Sequence, residues 1–153
     1  MPPTMKAVAW VCTLLGLALF TSPIRSIAAD TGDQPAPASS TVEVPATAGS
    51  RSPVKVGTVT AGQKITLTIG HVLWKGGGSK TGDSTDWRGY RGRKEGNGLP
   101  WLALVAAVGK QNFLPDKKVF TFTVPANGTL VLYCNDGNPD GNSGKGEVTV
   151  KVE

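Results

Sequence analysis

Histidine and cysteine are scarce in this chain of 153 residues, and their scarcity excludes several kinds of site. The one histidine, His71, rules out a zinc cluster built on several histidines. Of the two cysteines, Cys12 lies in an N-terminal apolar run, so Cys134 stands alone in the rest of the chain and we expect no internal disulfide. We expect His71 to be a packing or surface residue and Cys134 to be a small buried side chain.

The chain also lacks an apolar run of the roughly 20 residues that span a bilayer. Its longest one, from Ala7 to Phe20, follows Lys6 and precedes the small residues Ala28 and Ala29. This layout is typical of a secretory signal cleaved after one of those alanines. We interpret residues 1–29 as a signal peptide, with a retained signal anchor as the alternative. We therefore expect a secreted, periplasmic or cell-envelope protein with no membrane span after cleavage.

Acidic residues are few, at 11 against 16 lysines and arginines. Removal of the predicted signal takes away Lys6 and Arg25 and lowers the formal net charge from +5 to +3. Such a mild basic excess demands no polyanionic partner.

No stretch has the period of a three-turn amphipathic helix, whereas short alternating runs separated by Gly, Pro and Asn are frequent. Residues 30–40 are rich in Pro, Ala and Ser and predict a flexible linker. Residues 41–153 predict a single all-β domain, an antiparallel β-sandwich of the jelly-roll kind with about eight short strands. The pair Asn127-Gly128 predicts a hairpin turn.

One apolar segment, "LPWLALVAAVG" (99–109), is compatible with a short helix or with a strand buried on both faces. We favour the strand because the neighbouring segments are strands and because Pro100 and Gly109 bracket it closely.

The segment "NDGNPDGNSGKGE" (135–147) concentrates oxygen-bearing side chains in a loop between two predicted strands. Asp136, Asn138 and Asp140 alternate and Gly141 follows, which fits the start of a calcium-binding loop. Asn142 adds a further oxygen, but strand-like flanks exclude an EF-hand. The residues thus leave two interpretations, a calcium site and a plain turn built from good turn formers. We favour calcium because potential ligands are so dense.

The segment "GTLVLYCNDGNPDGNSGKGEVTVKV" (128–152) resembles the C-terminal strand, loop and strand of the calcium-dependent, galactose-binding bacterial soluble lectins, the lectin A family. The hallmarks are Asn135-Asp136 and then Asn142-Ser143-Gly144. A fainter similarity extends over "TAGQKITLTIGHVLWKGG" (60–77) and "NGLPWLALVAAVG" (97–109).

The resemblance implies a small jelly-roll domain that holds Ca²⁺ at one end and binds sugar hydroxyls through the ion. Its ligands would be Asp136, Asp140 and Asn142, with Asn138 contributing and a main-chain carbonyl at Trp74. Asp136 would thereby also be part of the sugar site. The sugar-gripping segment of the family corresponds to residues 94–99. There this chain lacks the family histidine and has Asn97 in place of a glutamine, so the resemblance does not predict galactose specificity.

The segment "DWRGYRGRKEGNG" (86–98) interleaves Trp87 and Tyr90 with arginines and a lysine. Such a pattern suits stacking on bases or on sugar rings, and it also occurs in solvated loops. The predicted secretory signal argues against nucleic acid, so we assign Asn97, Trp87 and Tyr90 as secondary glycan contacts.

We therefore expect a non-catalytic, calcium-dependent, lectin-like domain whose partner is a glycan or glycoconjugate, with a homo-oligomer left open. A glycosidase would need two opposed carboxylates, and no such pair stands out. The alternative is a structural or adhesive envelope domain whose calcium only stabilises the fold.

Overall fold

The computed structural model describes residues 34–77 and 84–153. Within these residues it contains strands, turns and bends and no helix. No described helix, accordingly, is long and apolar enough to cross a membrane. The predicted signal peptide lies outside the described residues. The eleven strands are β1 (Ser39–Pro45), β2 (Val54–Val59), β3 (Lys64–Lys75), β4 (Ser84–Thr85), β5 (Tyr90–Lys94), β6 (Pro100–Trp101), β7 (Leu104–Val108), β8 (Gln111–Phe113), β9 (Val119–Thr123), β10 (Gly128–Cys134) and β11 (Ser143–Val152).

Two antiparallel sheets form the sandwich. One has the order β1-β11-β3, and the free edge of β3 pairs with β9 over its first half and with β4 at its end. The other has the order β2-β10-β7-β8. A small third sheet pairs β5 with β6. The predicted antiparallel β-sandwich is confirmed, with eleven strands in the described residues where about eight were expected.

The long strand β3 shows how the sequence keeps one face buried. Ile65, Leu67 and Ile69 point inward on every second residue, and the inward phase then resumes at Val72 and Trp74. The pairing with β11 shifts at this point, because Ile69 pairs with Val148 and Val72 with Gly146, so that Gly70 and His71 lie opposite Glu147 alone. Such a bulge turns the side chains without ending the strand.

The core lies between the two sheets. Strand β7 is buried on both faces, which explains its unbroken apolar sequence and confirms the strand interpretation over residues 104–108. The fully buried large side chains are Trp74, Ile65, Leu67, Leu102, Leu104, Leu130, Leu132, Val44, Val105, Val124, Val148 and Val150.

The flexible linker was predicted to extend to residue 40, and that boundary is wrong. The Ala36 amide donates to the carbonyl of Thr58, the Thr58 amide donates to the carbonyl of Gln34, and β1 already begins at Ser39. Pro35 also forms an isolated parallel bridge with Thr58. The segment 34–40 therefore belongs to the fold, because its backbone groups pair with strand residues.

Two predicted turns have a different role. Asn127-Gly128 does not close a hairpin, because β9 belongs to one sheet and β10 to the other. The loop 135–142 likewise connects β10 to β11, which lie in opposite sheets. We call it the crossing loop. Its length follows from the distance between the sheets, so it is not an overlong hairpin turn.

Candidate functional site

The crossing loop contains buried polar side chains. Asn135, Asp136 and Asn142 are 2%, 7% and 7% exposed, whereas Asn138 and Asp140 are exposed. Burial of a charged or amide group is costly unless its hydrogen bonds are satisfied. The partners of these three side chains therefore define how the loop is held.

Three N–H groups donate to the Asp136 carboxylate. Trp101 Nε1 and Asn142 Nδ2 each donate to Oδ2 at 3.0 Å. The main-chain amide of Asn138 donates to Oδ1 at 2.9 Å. These charge-assisted hydrogen bonds keep the buried carboxylate satisfied without a cationic side chain.

Asn142 connects the crossing loop to two other segments. Its Nδ2 also donates to the carbonyl of Ala46 at 3.1 Å, just after β1, and its Oδ1 accepts from the amide of Gly77 at 2.6 Å. A side chain at Gly77 would collide with the backbone, because a Cβ there would lie 2.5 Å from the carbonyl oxygen of Asp140. The loop after β3 thus packs backbone to backbone against the crossing loop.

Asn135 fixes the other side of the loop. Its Nδ2 donates to the carbonyls of Pro100 at 2.8 Å and Leu99 at 3.2 Å. Asn97 Nδ2 donates to its Oδ1 at 2.7 Å, and Asn97 Oδ1 accepts from the amide of Leu99. Asn97, assigned from the sequence as a ligand contact, thus uses its amide to hold the turn before β6 against the crossing loop.

Trp101 is a site residue whose side-chain role the sequence did not reveal. It lies in the apolar segment 99–109 and offered no sign of a polar role, yet its indole reaches Asp136. The ring is 5% exposed, stacks on Tyr90 with centroids 5.2 Å apart, and has the Arg93 guanidinium carbon 3.8 Å from its centroid. The next residue, Leu102, has φ of 57°, a left-handed conformation that is uncommon for a branched side chain, and its amide donates to the carbonyl of Asn135.

The fold places the two predicted aromatic contacts, Tyr90 and Trp87, in different environments. Tyr90 is half-buried at the start of β5, beside Trp101. Trp87 is 3% exposed and belongs to the core, with the Arg88 guanidinium carbon 4.6 Å from its ring centroid. Trp87 is therefore not available as a surface platform, and its assignment as a glycan contact is corrected.

Trp74 has a buried indole whose Nε1 donates to the carbonyl of Val44 at 3.3 Å. Its backbone lies between strands, opposite Gly144 on β11 and Thr85 on β4. Asp140 and Asn138 carry exposed side chains on the outer part of the crossing loop. The structure thus groups Asp136 and Asn142 in one buried network and leaves Asp140 and Asn138 toward solvent.

The oxygen chemistry of the loop is compatible with calcium. Among the described residues, no three His, Cys, Asp or Glu side chains form a metal-binding group, so a calcium site here would depend on amide and main-chain oxygens as well. Asp136 Oδ1 and Asn142 Oδ1 each accept one N–H in the structure, and each oxygen has a second lone pair. Asp136 Oδ2 already accepts two N–H groups. The lone pairs left for a cation are therefore on Oδ1 of each residue.

Cys134 immediately precedes the network and is fully buried, as predicted. Burial, and secondarily the charge of Asp136, raises the pKa of its thiol. The thiolate is the reactive form, so a raised pKa and burial should both protect the group.

We expect Cys134 in the native protein to resist iodoacetamide at mildly alkaline pH and to react fully in denaturant. A Ser52→Cys variant, which introduces a further thiol at an exposed position, is the control, and its new thiol should react in both conditions. Peptide mass spectrometry measures both sites. Native labelling of Cys134 as fast as that of the introduced thiol would contradict its burial.

Comparison with known proteins finds a similarity to a lectin domain. No family model matches the sequence, and no curated protein matches it. Among solved structures, the chain is similar to the N-terminal domain of EclA, described as a PllA-like lectin, with 29% sequence identity and a TM-score of 0.51. The match covers 74% of this chain and 95% of that domain. The β-sandwich described above is therefore lectin-like in fold.

Proposed function

We propose that this protein is a non-catalytic carbohydrate-binding domain whose site lies at the crossing loop. The observation that carries the proposal is the buried Asp136 carboxylate, which joins the crossing loop to Trp101 and, through Asn142, to the segments after β1 and β3. The similarity to a lectin domain over most of the chain supports it.

The arrangement suits a shallow sugar site better than a catalytic cleft. A sugar ring presents hydroxyls, which pair with carboxylates and amides, and an apolar face, which packs on aromatic rings. Exposed Asn138 and Asp140 and half-buried Tyr90 offer these groups around the buried network. The Asp136 carboxylate is committed to three N–H donors, so it is poorly suited to act as a general acid or nucleophile.

We further propose that Ca²⁺ occupies this site. Asp136, Asp140, Asn138 and Asn142 would hold it, together with main-chain oxygens of the neighbouring segments. When bound, the ion would supply coordination positions for sugar hydroxyls. Trp101 and the Ala46 carbonyl would orient Asp136 and Asn142, because the indole N–H donates to Asp136 Oδ2 and the carbonyl accepts from Asn142 Nδ2, which leaves Oδ1 of each residue for the ion.

The second candidate is a structural envelope domain that binds no sugar. The observation that favours it is the completeness of the buried network, in which Asp136, Asn142 and Asn135 all have protein partners. The signal-like segment 1–29 is compatible with both proposals, since each concerns a protein exported from the cytoplasm.

The test combines a glycan array with thermal unfolding, both in excess calcium and in chelator. Calcium at 100 times its dissociation constant should stabilise the fold by about 2.7 kcal/mol and raise Tm by about 10 °C. Glycan binding should be present in calcium and lost in chelator. Calcium stabilisation without any glycan binding would favour the structural domain. Unchanged Tm together with glycan binding in chelator would overturn the calcium mechanism.

A further inference from the structure

Strand β5 carries exposed cations beside the candidate site. Arg91, Arg93 and Lys94 are all exposed. The strand pairs with β6 only at Tyr90 opposite Trp101 and at Lys94 opposite Pro100, and its register shifts in between. Residues 91–93 therefore bulge out of the ladder, an arrangement that redirects side chains away from the sheet.

These cations have no acidic partner among the residues that the structure describes. The ion pairs found there join Arg88 to Asp86, Lys145 to Glu43 and Lys151 to Glu153. Glu95 directly follows β5, but its carboxylate accepts from the amide of Gly137 at 3.3 Å. The charges of β5 are thus left to face solvent.

The basic strand adjoins the Asp136 network through one indole. The Arg93 guanidinium carbon lies 3.8 Å from the Trp101 ring centroid, and Trp101 Nε1 donates to Asp136. The Glu95–Gly137 hydrogen bond joins the end of the same strand to the crossing loop. If one sugar unit of a glycan binds at the crossing loop, the next sugar units of the same glycan would therefore lie within reach of the β5 cations.

We propose that the ligand is an acidic glycan, whose sulfate or carboxylate groups bind Arg91 and Lys94 while an adjacent sugar occupies the crossing-loop site. Guanidinium and ammonium groups form strong charge-assisted hydrogen bonds with these anions. Arg93 is partly committed to Trp101, which leaves Arg91 and Lys94 as the principal anion contacts. This inference rests on the proposed carbohydrate-binding function and adds the class of glycan.

The first test measures the binding of dextran sulfate and of unmodified dextran by isothermal titration or surface binding. A glycan array that contains neutral and acidic members is the second test. Dextran sulfate should bind the protein at about 50 mM salt and bind at least about tenfold more weakly at about 300 mM, because the contacts are exposed and screened. The double variant Arg91→Gln/Lys94→Gln should weaken this binding at least about tenfold. The matched control Lys117→Gln/Lys118→Gln removes the same charge at exposed positions outside β5 and should leave binding nearly unchanged.

The other possible outcomes would overturn either the acidic-glycan proposal or the carbohydrate-binding function on which it rests. Equal losses of dextran sulfate affinity in the two double variants would show that the protein attracts the polymer through net charge alone. If neutral array members bind and acidic groups add no affinity, the acidic-glycan inference is overturned while the proposed function stands. Competition by single-stranded oligothymidylate as effective as that by dextran sulfate would replace the glycan with a general polyanion or nucleic acid. Binding to no glycan at all would overturn the proposed function together with this inference. Circular dichroism of both double variants checks that they fold.

Discussion

Replacement of Asp136 by alanine should destabilise the domain by about 3 kcal/mol and lower Tm by about 10 °C or more, even in chelator. The substitution leaves Trp101 Nε1, Asn142 Nδ2 and the Asn138 amide without their acceptor. Unpaired buried donors each carry a desolvation cost, and the loop has no other carboxylate nearby that is buried. Thermal unfolding in chelator isolates this effect from any contribution of calcium. If the proposed function is correct, glycan binding should be lost as well.

Asp140→Ala is the matched control, because it removes a carboxylate from the exposed part of the same loop. In chelator we expect its free energy of unfolding to change by less than about 0.5 kcal/mol. In calcium it should lower the stabilisation by the ion, since Asp140 is a proposed ligand. A Tm of Asp136→Ala within experimental error of wild type in chelator would show that the hydrogen-bonded network does not stabilise the fold.

Among the glycines of the crossing loop and the start of β11, Gly144 should be the least tolerant of substitution. We expect Gly144→Ala to lower the free energy of unfolding by about 3 kcal/mol or more. Gly144 has φ of 95°, and a Cβ there would overlap the carbonyl oxygen of Leu73 on the neighbouring strand β3. The backbone at the start of β11 would have to separate from β3. The hydrogen-bonded pairing of the two strands, which begins where the crossing loop ends, would be disrupted there. Chemical denaturation measures the loss.

Gly141→Ala separates steric overlap from backbone strain. Gly141 has a similar φ of 79°, but the nearest atom to a Cβ there is the Cα of Gly77 at an ordinary contact distance of 3.5 Å. We expect Gly141→Ala to destabilise the fold by about 1 kcal/mol, the cost of the left-handed conformation alone. Equal costs for the two variants would mean that the strands at Gly144 yield easily and that the close approach there is not a constraint.

Much of the fold could be predicted because alternation along a strand is a local property. The inward residues of the first half of β3 and of β11 repeat every second position, and the residues between them, such as Thr66, Thr68 and Lys151, are polar. The resemblance of residues 128–152 to a lectin also agreed with the fold of the EclA domain. The pairing partners were harder, because the turn sequence Asn127-Gly128 suits a connection between sheets as well as it suits a hairpin.

The candidate site was predictable in part for a similar reason. Asp136 and Asn142 stood out because charged and amide residues are dense in their segment. Trp101, Gly77 and Ala46 did not, since they contribute an indole N–H, a main-chain amide and a carbonyl, and no composition signal marks such groups.

The sequence by itself determined that this protein would form a β-sandwich with a polar loop near its C-terminal strand, because periodicity and local composition are written residue by residue. Only the tertiary structure decided that this loop crosses between two sheets, that Asp136 is buried against Trp101 and that Trp87 lies in the core. Burial and hydrogen-bond partnership depend on segments far apart in the chain, as for Asn142 and Ala46, which are separated by 96 positions. That proximity arises because β1 and β11 pair as neighbours in one sheet, with Pro45 opposite Lys145, and such long-range pairing cannot be read from either segment alone.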